Sequence, residues 1–154
     1  MLRTRLSSDL KEAMKSKDAI RLSTLRLILA AIKERDIDAR AAEGGADAEG
    51  VSEAEVLAIL ARMIKQRQDS AAAYDDGGRP DLAERERAEI AVIRDYLPRP
   101  LSEAEARAAI AAAIAETGAS SIRDMGRVMA HLKARHTGRM DFAKAGAAVK
   151  EAFR

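Results

Sequence analysis

Ser120 and Ser121 follow a glycine in the stretch GASSIRDMGRVM, residues 118–129. A hydroxyl beside a glycine is where a nucleophile or a phosphate cradle is first sought. A serine attacks only when a neighbouring base takes its proton, and no histidine or lysine stands close by to do so. The two histidines, His131 and His136, are five residues apart. On a helix they point in different directions, and no carboxylate sits at metal-ligand spacing with them, so no metal is expected. Asp75 and Asp76 lie in DDGGRP and read as solvated turn charges. The chain has no cysteine and contains neither GxxxxGK nor GxGxxG, which removes thiolate chemistry and phosphate loops. Neither an active site nor a cofactor is expected.

Binding is then carried by basic residues. Residues 1–97 hold 17 Lys and Arg against 19 Asp and Glu, whereas residues 98–154 hold ten against six. The excess concentrates between 122 and 140, where Arg123, Arg127, Lys133, Arg135 and Arg139 face a single acid, Asp124. Projected at 100° per residue, Ile122, Met125, Val128, Met129 and Leu132 share one face, the core by periodicity. Arg123, Arg127 and His131 take the opposite face, with Lys133 and Arg135 on its flanks and Arg139 in the TGRMD turn. Such a local excess suits a polyanion, although charged residues on a helix also serve simply to solvate it.

The elements that must position these residues are all helical. Leu2, Leu6, Leu10 and Met14 recur at helical spacing, and after Asp18 as N-cap Leu22, Leu25, Leu29 and Ile32 continue the pattern. AAEGGADAEG, 41–50, has three glycines and reads as an exposed, mobile loop. Four capping boxes follow, Ser52 with Glu55, Asp81 with Glu84, Ser102 with Glu105 and Ser121 with Asp124. Gly118 then falls where a left-handed residue ends a helix. Gly126 sits mid-helix and suggests a close neighbour over its backbone, either a packed helix or a ligand. In KQRQDS, 65–70, Lys65 and Asp69 are spaced for an i, i+4 ion pair, while Lys65, Arg67 and Asp69 could instead face a partner. Strand-like alternation is absent, so the fold class is all-α. The prolines of YLPRPLSEAE place a boundary at Pro98 and give domains 1–97 and 98–154. The start of the chain mixes both charges and is no signal peptide, and no apolar run approaches the roughly 20 residues of a membrane span. The cytoplasm is the expected location, with no membrane partner.

KQRQDS, AEIAVIRDYLPRPLSEAE at 88–105, GASSIRDMGRVM, and TGRMD at 137–141 resemble the GatB/YqeY family, and in particular its stand-alone YqeY-like members. The C-terminal third is also similar to the tail of the GatB component of the tRNA-dependent amidotransferase. That resemblance implies two helical bundles, an N-terminal four-helix one and a C-terminal three-helix one, with tRNA contact by the second. The residues matching the family's motif are Gly126, Arg127, Lys133, Gly138 and Arg139. HLKARHTGR departs from the pattern, with histidines where the family often has lysines or small residues. Carbon–nitrogen ligase activity with glutamine as amide donor belongs to the amidotransferase complex, whose catalytic portions have no counterpart in this chain. The expectation is a non-catalytic accessory protein that binds tRNA, in association with a tRNA-modifying or aminoacylation-related protein. Aromatic residues make up only 3% of the chain, too few to stack on splayed bases, so recognition would be led by backbone and shape. The alternative is a protein-interaction module with no RNA contact.

Overall fold

The computed structural model describes residues 2–43 and 50–154, and all regular structure within them is helical. In chain order the helices are α1 (Leu2–Ser16), α2 (Ala19–Glu43), α3 (Glu53–Asp76), α4 (Pro80–Arg94), α5 (Glu103–Thr117), α6 (Met125–His136) and α7 (Phe142–Ala152), with a short 3-10 turn, Ile122–Asp124, leading into α6. No strand occurs among the described residues. The expected loop at 41–50 overlaps the end of α2, and its residues 44–49 lie outside the described set.

Capping sets most of the starts. Ser52 Oγ accepts the Glu55 N–H at 3.2 Å, and Ser102 Oγ accepts the Glu105 N–H at 3.1 Å, each with the glutamate reaching back to the cap. Asp18 Oδ1 accepts the Arg21 N–H at 3.1 Å and starts α2. The box expected at Asp81 and Glu84 does not form. Pro80 is already the first residue of α4, because its fixed φ suits that position and its missing N–H needs no partner. Asp81 instead accepts the Arg79 guanidinium at 3.2 Å, and Glu84 accepts from Arg87 at 2.6 Å.

The chain divides into two compact units, Met1–Leu97 and Pro98–Arg154. In the first, α1 to α4 enclose Leu6, Leu25, Ile28, Val56, Leu60 and Ile93, all essentially inaccessible. Each such side chain contributes about 1.5–3 kcal/mol by leaving water. Met14 departs from the expected stripe. It is 53% exposed while Ala13 is buried, because the inward face of α1 has rotated past it by the fourth turn. Polar locks hold the same unit. Arg3 grips Asp36 through two hydrogen bonds of 2.6 and 2.7 Å and donates to the Val51 carbonyl at 3.0 Å, while Asp36 Oδ1 accepts the Val51 N–H at 2.9 Å. Arg3 first, and the Val51 amide after it, hold the Asp36 carboxyl down at about 2. Gly50 is required beside it, since its φ is +83° and a Cβ there would stand 2.5 Å from Asp36 Oδ1. Tyr96, buried under the Arg5 guanidinium, donates to Asp9; burial, then that carboxylate, push its hydroxyl up to about 12. In the second unit, α5 to α7 close over Ile110, Ala113, Val128, Leu132, Ala145 and Val149.

Candidate functional site

The C-terminal unit carries the five sequence-selected cations on the α5–α6 connection, on α6 and on the turn after it. Gly118 ends α5 in the left-handed region at φ +67°, its N–H bonded to the Ile114 and Ala115 carbonyls. The chain then re-enters helix through a tight knot. Ser121 Oγ accepts the Arg123 N–H at 3.3 Å, and the Asp124 carboxylate accepts the Ser120 and Ser121 N–H groups at 2.9 and 3.4 Å. Asp124 thereby caps the 3-10 turn, and these amides, with Arg127, keep its carboxyl below the usual carboxylate range. Glycine is also needed at Gly138, where φ is +81° in the turn between α6 and α7.

Three of the five cations are engaged within the unit. Arg127 spans two elements, donating to the Thr117 carbonyl at 3.0 Å and to Asp124 at 2.7 Å. Arg135 pairs with Glu116 at 3.2 Å. Arg139 donates through Nε to the Arg99 carbonyl at 2.9 Å, and its own carbonyl accepts the Leu101 N–H at 2.8 Å, tying the 99–101 segment to the α6–α7 turn. Arg123 and Lys133 are exposed, and their side chains have no hydrogen-bond or ion-pair partner among the described residues.

The 3-10 turn corrects two expectations. A uniform helical projection assigns Ile122 to the core, but it is 49% exposed, since the tighter turn takes it off the α6 register. Gly126 does not sit mid-helix under a close neighbour. It is the second residue of α6, exposed, with nothing within 4 Å of where a Cβ would stand. The glycine packed against another helix is Gly146 in α7, where a Cβ would lie 3.4 Å from the Met125 methyl. Projection along α6 puts Gly126, Ala130 and Ala134 in one outward stripe, all three exposed, with Lys133 along one edge and Arg123 at the turn before it. His131 does not join this face. Its Nε2 lies 2.8 Å from Glu116 Oε2 and its Nδ1 is buried without a partner.

Sequence reasoning missed Glu116, which gathers both His131 and Arg135 from α5, and Arg99, whose guanidinium makes two 3.1 Å hydrogen bonds to Glu105. Arg99 first, then Ser102, holds the Glu105 carboxyl at about 2. Neither is signalled by spacing, because both contacts depend on the fold around the α5 ends. Lys65 and Asp69 in KQRQDS form their i, i+4 pair at 3.0 Å, while Arg67 turns inward to Glu89 at 3.0 Å. Among the described residues no group of three His, Cys, Asp or Glu could hold a metal, and no helix is long and apolar enough to cross a membrane. Exposed cations on a helix beside small residues leave room for an anion to approach.

The chain is 39% identical over 101 residues to the altered inheritance of mitochondria protein 41, mitochondrial, of Candida glabrata, covering 65% of this chain and 52% of that protein. It is 38% identical over 113 residues to the protein of the same name in Lachancea thermotolerans, covering 72% and 57%. The chain spans about half the length of the curated relatives it matches. The family described as Yqey-like protein matches residues 3–153, and the chain therefore belongs to that family.

Proposed function

We propose that this chain is a non-catalytic accessory protein that binds tRNA through the outward face of α6, contacting phosphates without reading bases. The observation that carries this reading is the pairing of two cations without partners among the described residues, Arg123 and Lys133, with the exposed small-residue stripe Gly126, Ala130 and Ala134. Small side chains let a phosphate strand come close to the helix surface while the cations neutralise it. Arg127, Arg135 and Arg139 support the fold of the face; Asp124 and Glu116 neutralise the first two, while Arg139, bonded to a carbonyl, adds its charge to the field. The resemblance of this third of the chain to the amidotransferase tail supports tRNA as the polyanion. On this reading the chain works in the cytoplasm, beside an enzyme of tRNA aminoacylation or amidation.

Mobility-shift titration of unfractionated tRNA at low salt tests this. Arg123→Glu with Lys133→Glu is expected to abolish the shift, while Arg62→Glu with Arg94→Glu leaves it in place. The purified chain should also release no ammonia from glutamine and amidate no misacylated tRNA; turnover lost on Ser121→Ala would contradict the non-catalytic reading. Ile122, half exposed at the entry to α6, favours the second reading, a protein-docking surface. Unchanged tRNA binding by the Arg123 and Lys133 variant would select it.

A further inference from the structure

The outer face of α1 has a composition that packing does not explain. Leu2, Leu6, Leu10 and Ala13 turn inward, and Asp9 is drawn inward too by Tyr96 and Arg21. Outward, Thr4, Ser8, Lys11 and Lys15 recur at intervals of four, three and four and so line up on one stripe, with Ser7 beside it. All five are exposed. Between residues 1 and 17 five basic residues stand against two acidic ones, and with Asp9 turned inward the remaining acid, Glu12, lies on the flank of the stripe. Arg3, Thr4, Ser7, Ser8 and Lys11 lie together on this open surface, two cations and three hydroxyls.

None of these polar groups except Arg3 is used by the fold. Lys11 and Lys15 have no ion-pair partner, and the Thr4, Ser7 and Ser8 hydroxyls no hydrogen-bond partner, among the described residues. Exposed Ser and Thr inside a helix cost stability relative to alanine, because they lose side-chain freedom and compete for the backbone. Ser7 and Ser8 side by side in the interior are an unfavourable choice for a helix that needs only a soluble face. Hydroxyls and ammonium groups on one stripe can all donate to an anion with many acceptor oxygens.

We infer that the outer face of α1 is a second polyanion-docking surface, fitted to the phosphate backbone of a double-helical RNA segment. For the identity of the polyanion this rests on the RNA reading above; for its place and its residues it does not. Thr4 to Lys15 span about 16 Å along the helix at 1.5 Å per residue, long enough to follow several successive phosphates. An anionic membrane is the poorer complement. An interfacial helix sets its apolar face into the lipid, whereas the apolar face of α1 is occupied by the core and the stripe itself carries no large apolar residue.

The test uses the full chain, with unfractionated tRNA as probe and binding measured across a salt series. Lys11→Glu with Lys15→Glu should weaken binding at least tenfold at about 0.1 M salt and lower the log–log salt slope by about 1.5, two phosphates at roughly 0.7–0.9 each. Lys11→Arg with Lys15→Arg should bind as the parent does. Thr4→Ala with Ser8→Ala should raise thermal stability slightly and still weaken binding, a combination that a purely structural role for the hydroxyls does not produce. Parental affinity and slope in the Lys11 and Lys15 charge reversal overturn the proposal, whatever the Arg123 and Lys133 variant does. Loss in the α1 variant with full binding by the Arg123 and Lys133 variant supports it and refutes the α6 reading instead. Binding of the chain to phosphatidylserine vesicles but not to tRNA overturns both.

Discussion

The N-terminal and C-terminal units both set arginines on carboxylates and on backbone carbonyls, but the most buried of these carboxylates lie in the first. In the first, carboxylates are clasped by residues far away in sequence. Asp36 is held by Arg3, Asp9 by Tyr96, and Glu89 by Arg67, the last pair about 13% exposed. In the second, arginines close off backbone carbonyls at the ends of elements, Arg127 on Thr117 and Arg139 on Arg99. A buried carboxylate lock binds nothing else. Arg139, bonded to a carbonyl and to no acid among the described residues, keeps its charge unpaired and can both brace the fold and attract an anion, whereas the charge of Arg127 is met by Asp124. Basic residues in the C-terminal unit therefore cannot be sorted into structural and functional by type alone; their partners sort them, and of the five cations on and around α6, Arg123 and Lys133 have none among the described residues.

The contrast can be broken first in the cores. Leu60→Ala and Leu132→Ala each empty a fully buried site and should cost about 2–5 kcal/mol by chemical denaturation. Among the described residues, six buried side chains close the C-terminal core against thirteen in the N-terminal one, so Leu132→Ala should remove the larger share of its unit's stability. Equal fractional losses would show that the smaller core is not the weaker one.

Next comes the Asp36 lock. Gly50→Ala should cost about 2 kcal/mol, from the left-handed backbone and from the displaced carboxylate, and Asp36→Asn a similar amount. The two should be strongly non-additive in a double mutant, since either one opens the same clasp. Additive losses would mean that Gly50 and Asp36 act separately. The same lock fixes an acid dependence. The Asp36 carboxyl is lowered to about 2 from 3.8 in the folded chain, so its stabilisation is complete above the unfolded value near 3.8 and disappears as pH falls toward 2. Asp36→Asn should flatten the stability profile in that window. Tyr96 works in the opposite sense, its contribution intact below 10 and lost as pH rises toward 12.

The smallest effect separates the two uses of arginine. Arg127→Ala removes two exposed hydrogen bonds and should cost about 1 kcal/mol along with part of the tRNA affinity. Arg123→Ala should leave stability unchanged and lower affinity alone. If Arg123→Ala destabilises the chain to the same degree, the distinction between braced and spare cations fails.

What could be read from the sequence was what local chemistry determines. Ser52 with Glu55, Ser102 with Glu105 and Gly118 act within one helical turn, and the structure has each of them in its cap. Asp81 with Glu84 has the same spacing, but Pro80 starts α4 one residue earlier and releases both acids to arginines. A single helix drawn through 122–135 puts Ile122 in the core and Gly126 in mid-helix because it cannot see that residues 122–124 wind as a 3-10 turn before α6 begins. The Arg3–Asp36 and Tyr96–Asp9 locks, 33 and 87 residues apart, carry no local signature at all. On the candidate face the charge was legible and its availability was not, because Glu116 and the Thr117 and Arg99 carbonyls that occupy Arg135, Arg127 and Arg139 arrive from other elements.

Binding of tRNA along the outward face of α6 is the reading on which the other expectations for tRNA depend. It is tested most directly by following the backbone amide resonances of the isotope-labelled full chain during a tRNA titration at low salt. The largest shifts are expected at Arg123, Gly126, Ala130 and Lys133, with a second group along Thr4 to Lys15 and little change on α3 and α4. Shifts centred on α3 and α4, or none in either predicted group, would contradict it.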